Sequence, residues 1–322
     1  MGLVVRKPGV YTSIQDNGRF GYQGSGFSTN GVMDRRAYVI ANLLVENDPN
    51  APVLEFALAG PLLRFTTKTI IAITGADFGA TIDGEPAPRY TALMVKRGSI
   101  LRFGAAKTGC YGYLAIAGGS VRIPEIMGSR STNLKCEFGG WKGRTLMTGD
   151  YLPFVTKGVD FLPNLGSHRL DAGNDDTFYG FANDEVLVRV VPGPQEDLFT
   201  EEGIEAFYSQ TYTTTAKCDR MGYRLDGPEI ETRNGSDIIS DGIAFGAVQV
   251  PSHGRPIVML ADRQTTGGYA KIANVISADF RILAQLKAGD KVHFEKVSIA
   301  AAQEALLAQR ATLNCLRSAI DR

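Results

Sequence analysis

Gly98-Ser-Ile-Leu-Arg-Phe103, Gly149-Asp-Tyr-Leu-Pro-Phe154 and Gly289-Asp-Lys-Val-His-Phe294 repeat one pattern three times. Each is a Gly-polar turn followed by a short strand that alternates and ends on Phe. Glycine enters the left-handed region at no steric cost, so it suits such a turn, and alternation at period two is the mark of a half-buried strand. The second and third copies each close a long β-rich half of the chain, which points to an internal duplication. A second echo agrees: Asp16-Asn-Gly-Arg-Phe-Gly-Tyr22 resembles Asp219-Arg-Met-Gly-Tyr223.

The same pattern holds outward from these turns. Thr69–Thr74 (TIIAIT), Gly112–Ala117 (GYLAIA), Val186–Val191 (VLVRVV) and Pro256–Leu260 (PIVML) are β-branched and apolar, with Gly or Pro in or near most of them. Asp83-Gly84 marks a hairpin. With 37 glycines and 14 prolines, many short strands on tight turns are expected. Three helices interrupt them. Met33–Glu46 places Met33, Ala37, Ile40, Ala41 and Leu44 on one side, with Asp34 in its first turn. Pro194–Phe207 holds a shorter helix or turn, and Ser298–Ile320 is amphipathic with Ser298 as its cap. The stretch Thr156–Glu185 is loop-like, so a first β-barrel domain is placed at 1–160, a linker at 161–185 and a second β-barrel domain at 186–322.

Lys plus Arg equals Asp plus Glu at 34 each, which excludes a strong field drawing the chain to nucleic acid or an anionic membrane. The cysteines Cys110, Cys136, Cys218 and Cys315 have neither zinc-ribbon nor redox spacing. With no apolar leader at Met1–Gly9 and no long apolar run, the cytoplasm is the expected compartment. Gly104-Ala-Ala-Lys107-Thr108 lacks the glycines of a phosphate-cradling loop. Gly24-Ser25-Gly26 lacks the third glycine of a dinucleotide turn, and no GxSxG occurs. His168, His253 and His293 are scattered, so no metal site is expected. Met94-Val95-Lys96 is not the Met-Lys-Met of a biotin attachment turn.

Four polar blocks remain. In Met259–Ala273 an apolar strand runs into Asp262, Arg263, Gln264, Thr265, Thr266, Gly267, Gly268 and Tyr269. Asp262 is able to accept a proton, Arg263 to stabilise an oxyanion, and Gln264 to read a planar amide from both sides. A Gly-Gly turn tied by threonine hydroxyls and a surface Asp262–Arg263 pair is the equally open structural reading. Gln15, Asp16 and Arg19 form a second cluster suited to an amide or carboxylate, followed by Asn42 and Glu55 on the adjacent helix and strand; its Asp-Asn-Gly is otherwise a turn. Gln249 stands alone in an apolar strand and, if buried, needs partners in protein or ligand. Arg220 sits in the fourth block, Asp219–Arg224, which reads more readily as structure.

Taken together, SIQDNGRFGY (13–22), GVMDRRAYVIANLLVEN (31–47), ITGADF (73–78), YLAIAGG (113–119), MGSRST (127–132), DRMGYRL (219–225), FGAVQVP (245–251) and ADRQTTGGYAKIA (261–273) resemble one family over nearly the whole chain. It is the biotin-dependent carboxyltransferase-type family of the 5-oxoprolinase C subunit, allophanate hydrolase subunit 2 and the antagonist of KipI, similar also to the carboxyltransferase region of urea amidolyase. Asn17 and the Asn234–Asp241 loop depart from its pattern. The resemblance implies a mainly β fold of two linked cyclophilin-like β-barrels with a few short helices and a C-terminal helix. It implies a KipI-like B subunit and an A subunit as partners, ATP with Mg in the assembled complex, and biotin presented in trans.

Three readings follow from the resemblance: a subunit of an ATP-dependent 5-oxoprolinase that opens 5-oxo-L-proline to L-glutamate, a module passing a carboxyl group from carboxybiotin to urea, and a non-catalytic antagonist of a KipI-like inhibitor. A lactam, urea and the ureido ring of biotin all present a flat C(=O)–N–H unit. On that ground Asp262 is expected as acid/base, Arg263 as oxyanion stabiliser, Gln264 and Gln249 as amide readers, Gly267 and Gly268 as a close backbone approach and Tyr269 as a wall, with Asp16 and Arg19 as second choices.

Overall fold

A computed structural model of the chain describes residues 1–156, 169 and 185–320. Backbone contacts divide it into two units. Residues Met1–Arg19, the described part of 30–175 and the helix end from Leu313 form one; Phe20–Thr29 and the described part of 176–312 form the other. Strands and helices are numbered below in chain order.

The first unit is two antiparallel sheets. One runs β11 (Tyr151–Pro153), β1 (Gly2–Lys7), β4 (Leu62–Phe65), β9 (Ile100–Arg102), β6 (Thr81–Ile82), β7 (Glu85–Pro86). The other runs β2 (Tyr11–Gln15), β3 (Val53–Ala57), β10 (Thr108–Ile116), β5 (Thr69–Asp77), β8 (Ala92–Val95). Their facing side chains make one core: Leu3, Val5, Leu63 and Leu101 from the first sheet meet Leu54, Phe56, Ile71 and Leu114 from the second. Helix α1 (Arg35–Leu44) covers the far face of the second sheet, and Thr74 Oγ1 donates to Ala37 O at 2.8 Å. That cover explains why β5 and β10 are apolar without alternation: both of their faces are buried. Asp34 precedes α1 as its cap, accepting from Ala37 N at 3.0 Å, rather than lying within its first turn.

In the second unit the ladder closes into a seven-stranded barrel: β12 (Glu185–Pro192), β19 (Lys271–Val275), β16 (Ala247–Gln249), β17 (Ile257–Met259), β14 (Gly222–Asp226), β13 (Thr211–Thr214) and β20 (Lys291–Lys296). All its pairs are antiparallel except the closing one, where β12 lies parallel to β20 from Glu185↔Lys291 to Val190↔Lys296. Val186, Val188 and Val190 fill the interior while Leu187 faces outward. A two-stranded ribbon, β15 (Asp237–Gly242) with β18 (Thr266–Tyr269), stands apart from the barrel ladder. Helices α2 (Glu201–Ser209), α3 (Phe280–Ala284) and the part of α4 (Ile299–Ile320) before Leu313 complete the unit; Thr200 caps α2 and Ser298 caps α4, accepting from Ala301 N at 3.1 Å. The mainly β architecture stands as expected. The two halves differ, with paired sheets in the first and a closed barrel in the second.

The threefold repeat in the sequence is one turn built three times. Gly98, Gly149 and Gly289 have φ of 94°, 94° and 96°. In each copy the residue after glycine donates its N–H, at 3.1 Å, to the carbonyl two residues before the glycine: Ser99 to Lys96, Asp150 to Met147, Asp290 to Lys287. Its side-chain oxygen accepts the N–H of that same earlier residue, at 3.1, 2.7 and 2.7 Å. The glycine N–H then reaches a neighbouring chain segment at Phe65, Val5 and Thr214, at 2.8 Å each time. The Asp16/Asp219 echo is likewise a turn, with Asp16 accepting from Gly18 N and Asp219 from Met221 N.

Two boundaries differ from the linear reading. Phe20–Thr29 falls within 1–160 yet belongs to the second unit, where Ser28 Oγ donates to Arg263 O at 2.7 Å and Arg263 Nη1 to Thr29 Oγ1 at 3.3 Å. The helix end from Leu313 belongs to the first. Contacts so remote in sequence leave no local pattern to read. The linker placed at 161–185, apart from Arg169 and Glu185, lies outside the described residues, as does His168. Among the described residues no helix is long and apolar enough to cross a membrane.

Candidate functional site

The candidates of the first unit serve its own backbone. Asp16, 5 % exposed, accepts on Oδ1 from Ser131 Oγ at 2.6 Å, Ser129 Oγ at 2.7 Å and Gly18 N at 2.9 Å, and on Oδ2 from Arg130 N at 2.5 Å. Arg19 donates to Ile126 O, Ser131 O and Asn30 Oδ1, each at 3.1 Å, and lies over the Phe138 ring. Together they anchor the segment 126–138. Gln15 Nε2 reaches Ser13 Oγ at 3.0 Å, leaving its Oε1 buried and unpaired. Asn42 holds Ala51 O at 2.9 Å. Glu55 accepts from Met33 N and Tyr113 Oη, and Tyr113 Oη accepts from Asp34 N, which sets the start of α1. Burial, and then the Glu55 charge, pushes the Tyr113 hydroxyl well above its ordinary range, so it keeps its proton and donates. Asp16, Arg19, Asn42 and Glu55 thus spend their polar groups on protein partners, while Gln15 keeps a buried, unpaired Oε1.

In the second unit Asp262 and Arg263 are braces too. Arg220 grips Asp262 with two parallel bonds, Nε to Oδ2 at 2.9 Å and Nη2 to Oδ1 at 3.0 Å, and Asp262 N donates to Arg220 O at 2.8 Å. The pairing anticipated between Asp262 and Arg263 is thus made by Arg220. Arg263 Nε donates to Ile243 O at 2.9 Å and Nη1 to Leu260 O at 3.1 Å. Both side chains fix the loop that leaves Ala261. Proton transfer by Asp262 would first require breaking this bidentate ion pair.

That loop delivers Gln264 to a polar cluster. Val248 faces the barrel interior with Val258 and Ala273 as neighbours, so Gln249, the next residue, faces outward. It is nevertheless 1 % exposed, because the ribbon covers it. A Cβ built on Gly267 of β18 would lie 3.1 Å from Gln249 Nε2 and 3.5 Å from Gln264 Nε2. The two glutamines expected to read an amide therefore converge over a residue without a side chain. Gln249 Nε2 makes a long bond of 3.4 Å to Tyr269 O, and Gln264 Oε1 is buried with no partner. Thr265 holds Ile243 N through its carbonyl, Thr266 and Gly268 lie along β18, and Tyr269 is 40 % exposed.

The sequence reading passed over Lys271. A bulge at Ile272 brings Lys271 opposite Gln249 in register, and the side chains of opposed residues share a face. Lys271 is 3 % exposed and its Nζ lies 3.2 Å from Asp241 Oδ2 without hydrogen-bond alignment. Gln195 Oε1 accepts Lys271 N–H at 3.2 Å. Ser236, whose carbonyl holds Ala270 N, buries an unpaired Oγ. The signal that singled out Gln249, a long polar side chain in an apolar strand, applied equally to Lys271.

Fold and site together define a mainly β protein that carries a polar, glycine-floored cluster on a closed barrel, the class of the carboxyltransferase domains. The model of the "Carboxyltransferase domain, subdomain A and B" matches residues 25–296, and the chain belongs to that family. It is 38% identical over 308 residues to the 5-oxoprolinase C subunit of Escherichia coli, covering 96% of this chain and 94% of that one. The protein of the same name from Haemophilus influenzae is 35% identical over 309 residues, covering 96% of both. Among solved structures, the urea amidolyase of K. lactis superposes with a TM-score of 0.86 at 30% identity over 98% of this chain. This chain spans only 20% of that much longer protein.

Proposed function

We propose that the chain is the C subunit of an ATP-dependent 5-oxoprolinase, acting with A and B subunits to open 5-oxo-L-proline to L-glutamate in the cytoplasm. The observation that carries this reading is the end-to-end match to the 5-oxoprolinase C subunit of Escherichia coli, 96% of one chain against 94% of the other. The residues suit a lactam. Gln249 and Gln264 each offer a donor and an acceptor to a flat C(=O)–N–H unit beside Gly267, with Tyr269 on the same strand. Asp262 and Arg220, with Arg263, hold Gln264 in place.

ATP supplies the phosphoryl group that drives ring opening when bound. Among the described residues no three His, Cys, Asp or Glu side chains gather to hold a metal, and the sequence has no phosphate-cradling loop. We place ATP with Mg on the partner subunits, and no step in this chain is routed through it. The test mixes purified A, B and C proteins with ATP and 5-oxo-L-proline and measures glutamate. Glutamate is expected only when this chain is present; none from the full mixture overturns the reading.

The likeness to urea amidolyase, at a TM-score of 0.86, favours a second reading: a module taking a carboxyl group from biotin presented in trans to a urea-like acceptor. Carboxylation of urea by the chain with a carboxybiotin donor, and no glutamate in the first assay, selects it instead.

A further inference from the structure

Lys271 is the misplaced charge of the second unit. An ammonium carries three donors, and taking one out of water costs several kcal/mol unless those donors are met. Here the chain meets them poorly: Nζ is buried in a strand, and the carboxylate facing it, Asp241 at 3.2 Å, belongs to a side chain 56% exposed. Asp241 is moreover held from elsewhere, since its Oδ1 accepts Gly242 N at 2.7 Å. Lys271 is not alone in being under-used. Gln264 Oε1 has no partner, Gln249 has one long bond, and both amides lie against the bare Gly267. Asp241 stands opposite Gly267 in the ribbon, and Lys271 stands opposite Gln249 in the barrel wall. One seam thus collects a buried cation and two under-bonded amides. Buried polar groups left this way in a native protein are normally met by something the chain does not supply.

We infer that this seam between ribbon and barrel wall binds a small carboxylate bearing a planar carbonyl–N–H group, with Lys271 anchoring the anion and Gln249 and Gln264 reading the amide. Asp241 is the built-in carboxylate that occupies the anchor until ligand displaces it. Its side chain is 56% exposed, so on displacement its charge stays solvated while Oδ1 keeps the Gly242 N–H. The inference rests on the lactam reading only in choosing the ring with which to probe the site.

The test is calorimetric titration of the full-length chain with 5-oxo-L-proline and with 2-pyrrolidinone, the same ring without its carboxylate. The carboxylate-free ring is expected to bind about tenfold or more weakly, the scale of one charge-assisted contact. Lys271→Met should erase that preference. Asp241→Asn should tighten 5-oxo-L-proline binding severalfold, because it removes the competitor while keeping the surface side chain's shape; a merely structural ion pair predicts no gain. Equal binding of the two rings, no binding of either, or an Asp241→Asn protein that binds no tighter each overturns the site, the last even if Lys271→Met fails to fold. Glutamate formed by the reconstituted complex with KM unaltered in Asp241→Asn sinks the site and leaves the reaction standing. Carboxylate-selective binding with no glutamate formed does the reverse.

Discussion

At the residue scale, polar side chains in this protein divide by whether the chain itself satisfies them. Asp16 accepts four hydrogen bonds, two of them from backbone N–H groups, so its loss strands several buried donors together. Asp16→Ala is expected to destabilise the first unit by about 3 kcal/mol, read from the urea midpoint. Asp150 gives a pH signature. The Arg144 guanidinium, gripping both its oxygens at 2.8 Å, holds its carboxyl at about 2, with Met147 N–H helping. A value depressed below the ordinary 3.8 means that the pair's contribution is whole above that pH and is lost as pH falls through about 2. Asp150→Asn should therefore lower stability by about 1 kcal/mol near neutrality, and the difference from wild type should vanish near pH 2 in paired denaturation curves. Gln249 and Lys271 belong to the other group, which the chain leaves under-bonded. Their residue types in apolar strands were legible; what they face was not, because a bulge at Ile272 decides it.

Among elements, the threefold turn offers the cleanest measurement. A Cβ on Gly98, Gly149 or Gly289 would meet nothing within 4 Å, so alanine there adds backbone strain at φ of 94° to 96° and no clash. Each Gly→Ala change should cost about 1–2 kcal/mol, similar at all three sites, in thermal or urea unfolding. A cost confined to one copy would show that the turns are alike in form only. These turns were readable in advance because glycine, a following side-chain acceptor and an alternating strand are local chemistry. The strands at Thr69–Thr74 and Val186–Val191 were readable for the same reason. The bracing of Arg263 by Ser28 and Thr29 was not, since it joins distant stretches and no periodicity reports it.

For the whole molecule, the least legible property was closure. Nothing in the spacing of β12 and β20 announces that the first and last staves of a seven-stranded barrel pair side by side and parallel. A chain ending at Asp290 lacks β20, and β12 and β13 then keep unpaired edges. Light scattering after refolding should show that truncated chain aggregating under conditions in which the full chain stays monodisperse or assembles in defined numbers.

The same closure has a consequence for birth. As the polypeptide emerges from the ribosome, six staves are complete while the seam waits for a seventh that is still being translated. Vectorial synthesis thus leaves the nascent barrel open until Lys291–Lys296 has been made, with the edges of two staves exposed for that interval.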